Sequence, residues 1–194
     1  GRPALDSDGA IASAAFVESL AAAELLPPES TGVVAAQLFN DGRAALTING
    51  PWFVGEIAPG VPFGVAPLPT VRATGRPAAP LVEIEALLRP ARGHDAGAAT
   101  AFALWLAGGE AARIRATVGR QTVAAKAAWD DPKVAQDPIL SAFRAQLSAT
   151  VPMPNAPAVR QVWEPLNQAL RKVLRGATSA RPAMLEAQKR VLEA

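Results

Sequence analysis

FNDGRAALTINGPWFVGEI, residues Phe39 to Ile57, is the stretch around which the rest of the chain arranges itself. Its apolar run Ala44 to Ile48 has strand character and meets Asn49-Gly50, a pair that stops a strand. Pro51 follows, suited to the first turn of a helix, where its missing N–H is not needed. The pattern predicts a strand over 44–48 with Trp52 carried on a strand-to-helix junction. In open α/β sheets, ligands bind at such junctions, outside the carboxyl ends of the strands.

Upstream, 9–26 reads as a helix with Phe16, Leu20 and Ala23 at helical spacing, ended by Pro27-Pro28. Ser30-Thr31 supply a cap for a second helix through Val34, Leu38 and Phe39, which Gly42 closes in the left-handed region. Downstream, Pro62 to Pro67 and Leu81 to Leu88 read as strands flanking a loop rich in Pro, Gly and Arg. Asp95 caps a helix with Ala98, Phe102, Trp105 and Leu106 on one face, and Glu110 to Val118 forms a shorter one. Gln121 to Trp129 is alanine-rich and expected to be helical. Asp137-Pro138 opens a helix bearing Ile139, Leu140, Phe143 and Leu147. A long helix with Val159, Val162, Leu166, Leu170 and Val173 ends at Gly176, and a last one from Ser179 turns Met184, Ala187 and Val191 inward.

The 194 residues, half of them hydrophobic, suffice for one sizeable core or two small ones. A net charge of +2 and 5% aromatic residues, with no Tyr, give neither the basic face nor the stacking surface of a nucleic-acid binder. The absence of cysteine excludes disulfides and thiolate metal sites. No apolar run approaches the roughly 20 residues that span a bilayer, and Gly1-Arg2-Pro3 carries no signal-peptide core, so the chain reads as a mature or excised segment.

Among groups that could carry chemistry, His94 has no partner for a triad and precedes a helix start, where it reads as an exposed loop residue. Asp6, Asp8, Asp130 and Asp131 lack calcium-loop spacing and read as turn and cap residues, so neither a metal nor a cofactor is expected. Glu83 and Glu85 alternate with Val82, Ile84 and Ala86 and would lie roughly 6.5 to 7 Å apart on one strand face. That overlaps the carboxylate spacing of inverting glycosidases. Parallel side chains on one strand cannot flank a glycosidic bond from opposite sides, however, so the reading is not an enzyme. Arg72, Arg76 or Arg89 could pair with them on a solvated face. Trp163 shares a stripe with Val159, Val162 and Leu166, which favours a core role, while Pro165 forbids a regular helix interior and places Trp163 near a helix start or kink, where side chains face clefts.

FNDGRAALTINGPW, the following PFGVAPLPT, and VPMPNAPAVRQVWEPL (Val151 to Leu166) together resemble the maltose-binding-protein group of solute-binding proteins of ABC sugar importers. The resemblance covers essentially the whole chain but only the later half of such a protein. It implies an α/β, helix-rich periplasmic-binding-protein (type II) fold, represented by a C-terminal lobe portion with a small, incomplete sheet. It further implies that 1–80 and 136–194 belong to the second lobe and that 81–135 holds a crossing strand and helices of the other lobe.

By the same resemblance, Trp52 and Trp163 would be platforms on which sugar rings stack, with Glu164, Asn167 and Met153 beside them and Glu83 and Glu85 at the cleft or hinge. The implied ligand is a maltose- or maltodextrin-type sugar, the implied partners are ABC permease subunits, and the implied location is periplasmic or extracytoplasmic, free-standing or as a domain of a membrane protein. Where the resembling proteins carry small residues on the crossing strand, Glu83 and Glu85 charge the cleft floor. A second reading therefore stands beside the first: a truncated domain with a docking or oligomerising role and no sugar binding. Unpaired sheet edges and orphaned helix faces at Phe102, Trp105 and Leu106 would favour a homodimer.

Overall fold

Ser7 starts the first helix by accepting a hydrogen bond from the Ala10 N–H at 3.3 Å, and α1 runs Asp8–Ala22. The computed structural model describes residues 3–29 and 31–193; Ser30, expected as a cap, lies outside them. Thr31 does accept from the Val34 N–H at 3.3 Å, and α2 follows over Gly32–Asn40. The remaining helices are α3 Ala96–Ala107, α4 Gly109–Gly119, α5 Pro132–Ala135, α6 Pro138–Gln146, α7 Val159–Leu174 and α8 Ala180–Glu193. Strands are two-residue pieces: β1 Thr70–Val71, β2 Arg76–Pro77, β3 Leu81–Val82 and β4 Val151–Pro152. The chain forms two compact units, one joining the segment up to Gln37 to the segment from Pro154, the other spanning Leu38–Met153.

The first unit is built on α1, α7 and α8, which share a core of Ile11, Ala14, Ala169, Val173, Ala180, Ala183, Met184 and Ala187. Five alanines among these eight let the helix backbones approach closely, and Met184 fills the space left over. The predicted α1 face is corrected: Ile11 and Ala14 are buried, whereas Phe16 is exposed and the helix ends at Ala22. Glu18 comes to α8 as a cap, its Oε2 accepting from the Ala180 N–H at 3.1 Å, so a carboxylate meets the positive end of that helix. Gln188, buried in α8, accepts from the Leu5 N–H at 2.8 Å and donates to the Pro3 carbonyl at 3.0 Å.

In the second unit, β1 and β2 form an antiparallel hairpin inside the Pro- and Gly-rich loop, while β3 and β4 pair in parallel with Leu81 opposite Val151 and Val82 opposite Pro152. The Val151 and Met153 N–H groups donate to the Pro80 and Val82 carbonyls, both at 3.0 Å, so Pro152 falls where the ladder asks for no N–H on that side. Gln146 ties three segments together, accepting from the Leu68 N–H at 2.7 Å and donating to the Ala78 and Ala149 carbonyls. Ala116, Val134 and Leu140 make a second core, against which Val123 and Trp129 lie. The Trp129 indole donates to the Val123 carbonyl, and the Arg144 guanidinium sits 4.9 Å above its ring.

Three expected strands are corrected. Residues 44–48 and 62–67 form no ladder, and the predicted strand over 81–88 is reduced to β3. Strand character supplies the side chains for pairing, but a strand exists only against a second backbone, and among the described residues none pairs with 44–48, 62–67 or the stretch after Val82. Leu46 and Ile48 are accordingly 89% and 81% exposed. The helix expected over Gln121 to Trp129 is a short 3-10 turn, Lys126–Asp130. On α3 no residue is buried; Phe102 and Trp105 stack on each other with ring centroids 6.2 Å apart.

Candidate functional site

Trp52 stands on a 3-10 turn, Pro51–Glu56, entered at Gly50 and with Pro51 at its first position. The Phe53 N–H closes the turn by donating to the Gly50 carbonyl at 3.0 Å. Two contacts seat it on the end of α2. Phe53 is buried and meets Phe39 edge-on, ring centroids 5.7 Å apart. Asn40 donates from Nδ2 to the Glu56 carbonyl at 2.9 Å and accepts at Oδ1 from the Ala58 N–H at 2.8 Å. One side of the turn is thus anchored inward through Phe53, and the residue just before it in the chain is turned out. Trp52 is 64% exposed.

On α7, Trp163 is 44% exposed, whereas the expected stripe does face the core: Val173 is buried there beside Ala169, and Leu166 and Leu170 pack against it. The helix runs unbroken through Pro165, its entry wound tightly by bonds from Arg160 to Pro157 and from Gln161 to Ala158. Trp163 is its fifth residue, near the start as expected. Asn167, one turn later on the same face, is exposed. Glu164 is engaged sideways: it accepts from Gln168 Nε2 at 2.6 Å, and Gln168 in turn accepts from Arg190 of α8.

Met153 and Glu83 are the residues that follow β4 and β3, so the parallel register brings both to the carboxyl end of that pair. Glu85 lies two residues beyond, past the end of the ladder, and both carboxylates are exposed. Among the described residues no ion pair reaches either of them. Within the second unit the sequence-predicted residues lie on one turn (Trp52) and at one strand end (Met153, Glu83, Glu85), and within the first on one helix face (Trp163, Glu164, Asn167). Sequence reasoning missed Asn40, Gly50 and Phe53, which hold Trp52. Only Gly50, beside Asn49 and Pro51, left a local trace.

Several charges elsewhere pair on the surface. Lys172 of α7 meets Glu186 of α8 at 2.6 Å, with Arg190 at 3.8 Å, and the hydrogen bond and charge of Lys172 hold the Glu186 carboxyl below its ordinary range. Among the described residues, no three His, Cys, Asp or Glu side chains gather as a metal site, and no helix is long and apolar enough to cross a membrane.

A family model described as bacterial extracellular solute-binding protein matches residues 2–142. The chain is 25% identical over 188 residues to a galactooligosaccharide-binding protein of Bacillus subtilis, a match spanning 94% of this chain and 44% of that protein. It is 27% identical over 143 residues to a maltotriose-binding protein of Pyrococcus abyssi, covering 71% and 31%. The solved maltose/maltodextrin-binding domain of Bdellovibrio bacteriovorus, bound to maltotriose, superposes with a TM-score of 0.82 at 25% identity, over 99% of this chain and 51% of that one. The chain thus spans between about a third and about half of the length of these proteins, and its architecture is part of the helix-rich type II periplasmic-binding-protein fold. It belongs to the bacterial extracellular solute-binding proteins.

Proposed function

We propose that this chain is a carbohydrate-binding domain of an ABC sugar importer, of the maltose or maltodextrin type, acting outside the cytoplasm either free-standing or fused to a permease subunit. The observation that carries the reading is the exposed indole of Trp52 on a turn anchored from below by Phe53 and Asn40. A flat apolar ring held outward on a fixed mount suits the C–H face of a sugar. Trp163 is a second exposed ring, with Asn167 and Glu164 as hydroxyl partners; Met153 is a soft contact, and Glu83 and Glu85 border the site. Residues 1–80 and 136–194 are read as one lobe and 81–135 as part of the other. Capture would then proceed by closure of two lobes about the ligand, the closed form being presented to the permease. The relatives named for maltotriose and for galactooligosaccharides support an oligosaccharide as ligand.

Tryptophan fluorescence titrated with maltotriose, maltotetraose and a galactooligosaccharide tests this. A saturable shift that disappears in Trp52→Ala is expected. A flat titration with all three sugars, alongside a folded far-UV spectrum, would sink the reading.

A docking or oligomerising role without sugar is favoured by one observation: Leu46, Ile48, Ile84 and Leu88 and the uncharged α3 all present apolar side chains to solvent. Light scattering on the titrated sample separates the two. A mass of twice the chain together with a flat titration would select this second role, as a homodimer.

A further inference from the structure

We propose that Gly50 is a positioning residue for the Trp52 platform: its missing side chain is the seat on which the indole rests. A Cβ built on Gly50 would run into Cε3, Cζ3 and Cη2 of the Trp52 ring, the six-membered half of the indole. The backbone does not call for glycine, since φ −92° and ψ 177° are ordinary extended values open to any residue. What requires glycine is the close approach of the ring. The obstructed atoms are the far end of a side chain that is largely exposed, so the indole can swing away while the turn, held by Phe53 and Asn40, stays. A side chain at position 50 therefore acts on the pose of the platform and leaves the fold in place. One face of the indole is occupied by the backbone of residue 50, which leaves the opposite face for a ligand.

The ligand part of this inference rests on the sugar-binding reading above; the conformational part does not. The test begins without ligand, taking the near-UV circular dichroism of the chain minus that of Trp52→Phe as the Trp52 band. The same difference is then measured in Gly50→Ala and in Gly55→Ala, which places the same methyl in the same turn with nothing within 4 Å. Expected is a Trp52 band that is lost or inverted in Gly50→Ala, retained in Gly55→Ala, with far-UV spectra superimposable on that of the parent chain. An unchanged band in Gly50→Ala would overturn the proposal. If Gly50→Ala lowers the melting temperature so far that no band can be read, Gly50→Ala/Trp52→Ala should melt with Trp52→Ala, because the ring is the source of the clash. Failure of that rescue would also overturn it. With maltotriose, Gly50→Ala should weaken binding by about three- to tenfold, the worth of one misplaced aromatic contact. A parent chain that ignores maltotriose but shows the band change refutes the sugar reading and leaves the positioning role standing.

Discussion

Gln188, near the end of the last helix, accepts a hydrogen bond from the backbone N–H of Leu5 at 2.8 Å while donating to the carbonyl of Pro3. Only 4% of this residue is exposed, so the pair of bonds replaces water on both backbone groups. Gln188→Leu keeps the volume and leaves an N–H and a C=O unpaired, at a cost of about 1–3 kcal/mol. The expected outcome is a melting temperature several degrees lower, with amide exchange at Leu5 accelerated more than at the centre of α8. Unchanged exchange at Leu5 would show that the amide finds another partner.

The alanine seam of the first unit tolerates no added bulk. Ala183 is 1% exposed and belongs to the core shared by α1, α7 and α8. Ala183→Leu must push helices apart, costing about 1–3 kcal/mol. Urea unfolding should report the loss as a lower midpoint; a midpoint at or above that of the parent chain would mean that the seam holds unfilled space.

Lys172 and Arg190 give the α7–α8 pair an acid-sensitive contact at Glu186. The neighbouring ammonium lowers the Glu186 pKa in the folded chain below its ordinary 4.5. The contribution is therefore complete above that value and is lost as pH falls through the lower, folded one. Both partners are exposed, so the effect is small and screened by salt. The difference in melting temperature between the parent chain and Glu186→Gln should be greatest at neutral pH in low salt, shrink below pH 4.5, and vanish in high salt. A difference that grows on acidification contradicts this assignment.

Asn40 should be felt locally at the Trp52 turn. Asn40→Ala removes the acceptor of the Ala58 N–H and the donor to Glu56, bonds on the exposed side of the unit. About 1 kcal/mol is at stake, equivalent to roughly fivefold faster exchange at the Ala58 amide. Equal exchange in the two proteins would show that the turn is held by Phe53 alone.

Helices were legible in this sequence because their signals are local. Asp95 and Asp137 cap α3 and α6 as the residue pattern predicts, each side chain accepting from an N–H within three residues, and Gly42 and Gly176 have the positive φ expected after helix ends. The strands were not legible in the same way. Ala44 to Ile48 has the residues of a strand and is left without a ladder, because pairing depends on a backbone that no local pattern reveals. For the same reason Asn40, Gln146 and Gln188 passed unnoticed: each binds backbone groups 16 to 185 residues away in the chain. At the candidate site, the exposure of Trp163 could not be decided from its stripe, since a tryptophan beside core positions reads as core. Pro165 was the better guide to Trp163, although the helix continues through it.

The helical unit is assembled from two stretches of chain with all of Leu38–Met153 between them. During synthesis, α1 emerges long before α7 and α8, against which its buried face lies. At about 5–20 residues per second, Ile11 and Ala14 wait roughly 10–30 s for their partners. For that interval Ile11 and Ala14 have none of the partners on α7 and α8 that bury them in the folded unit, so the helical core cannot close until the last two helices have been made.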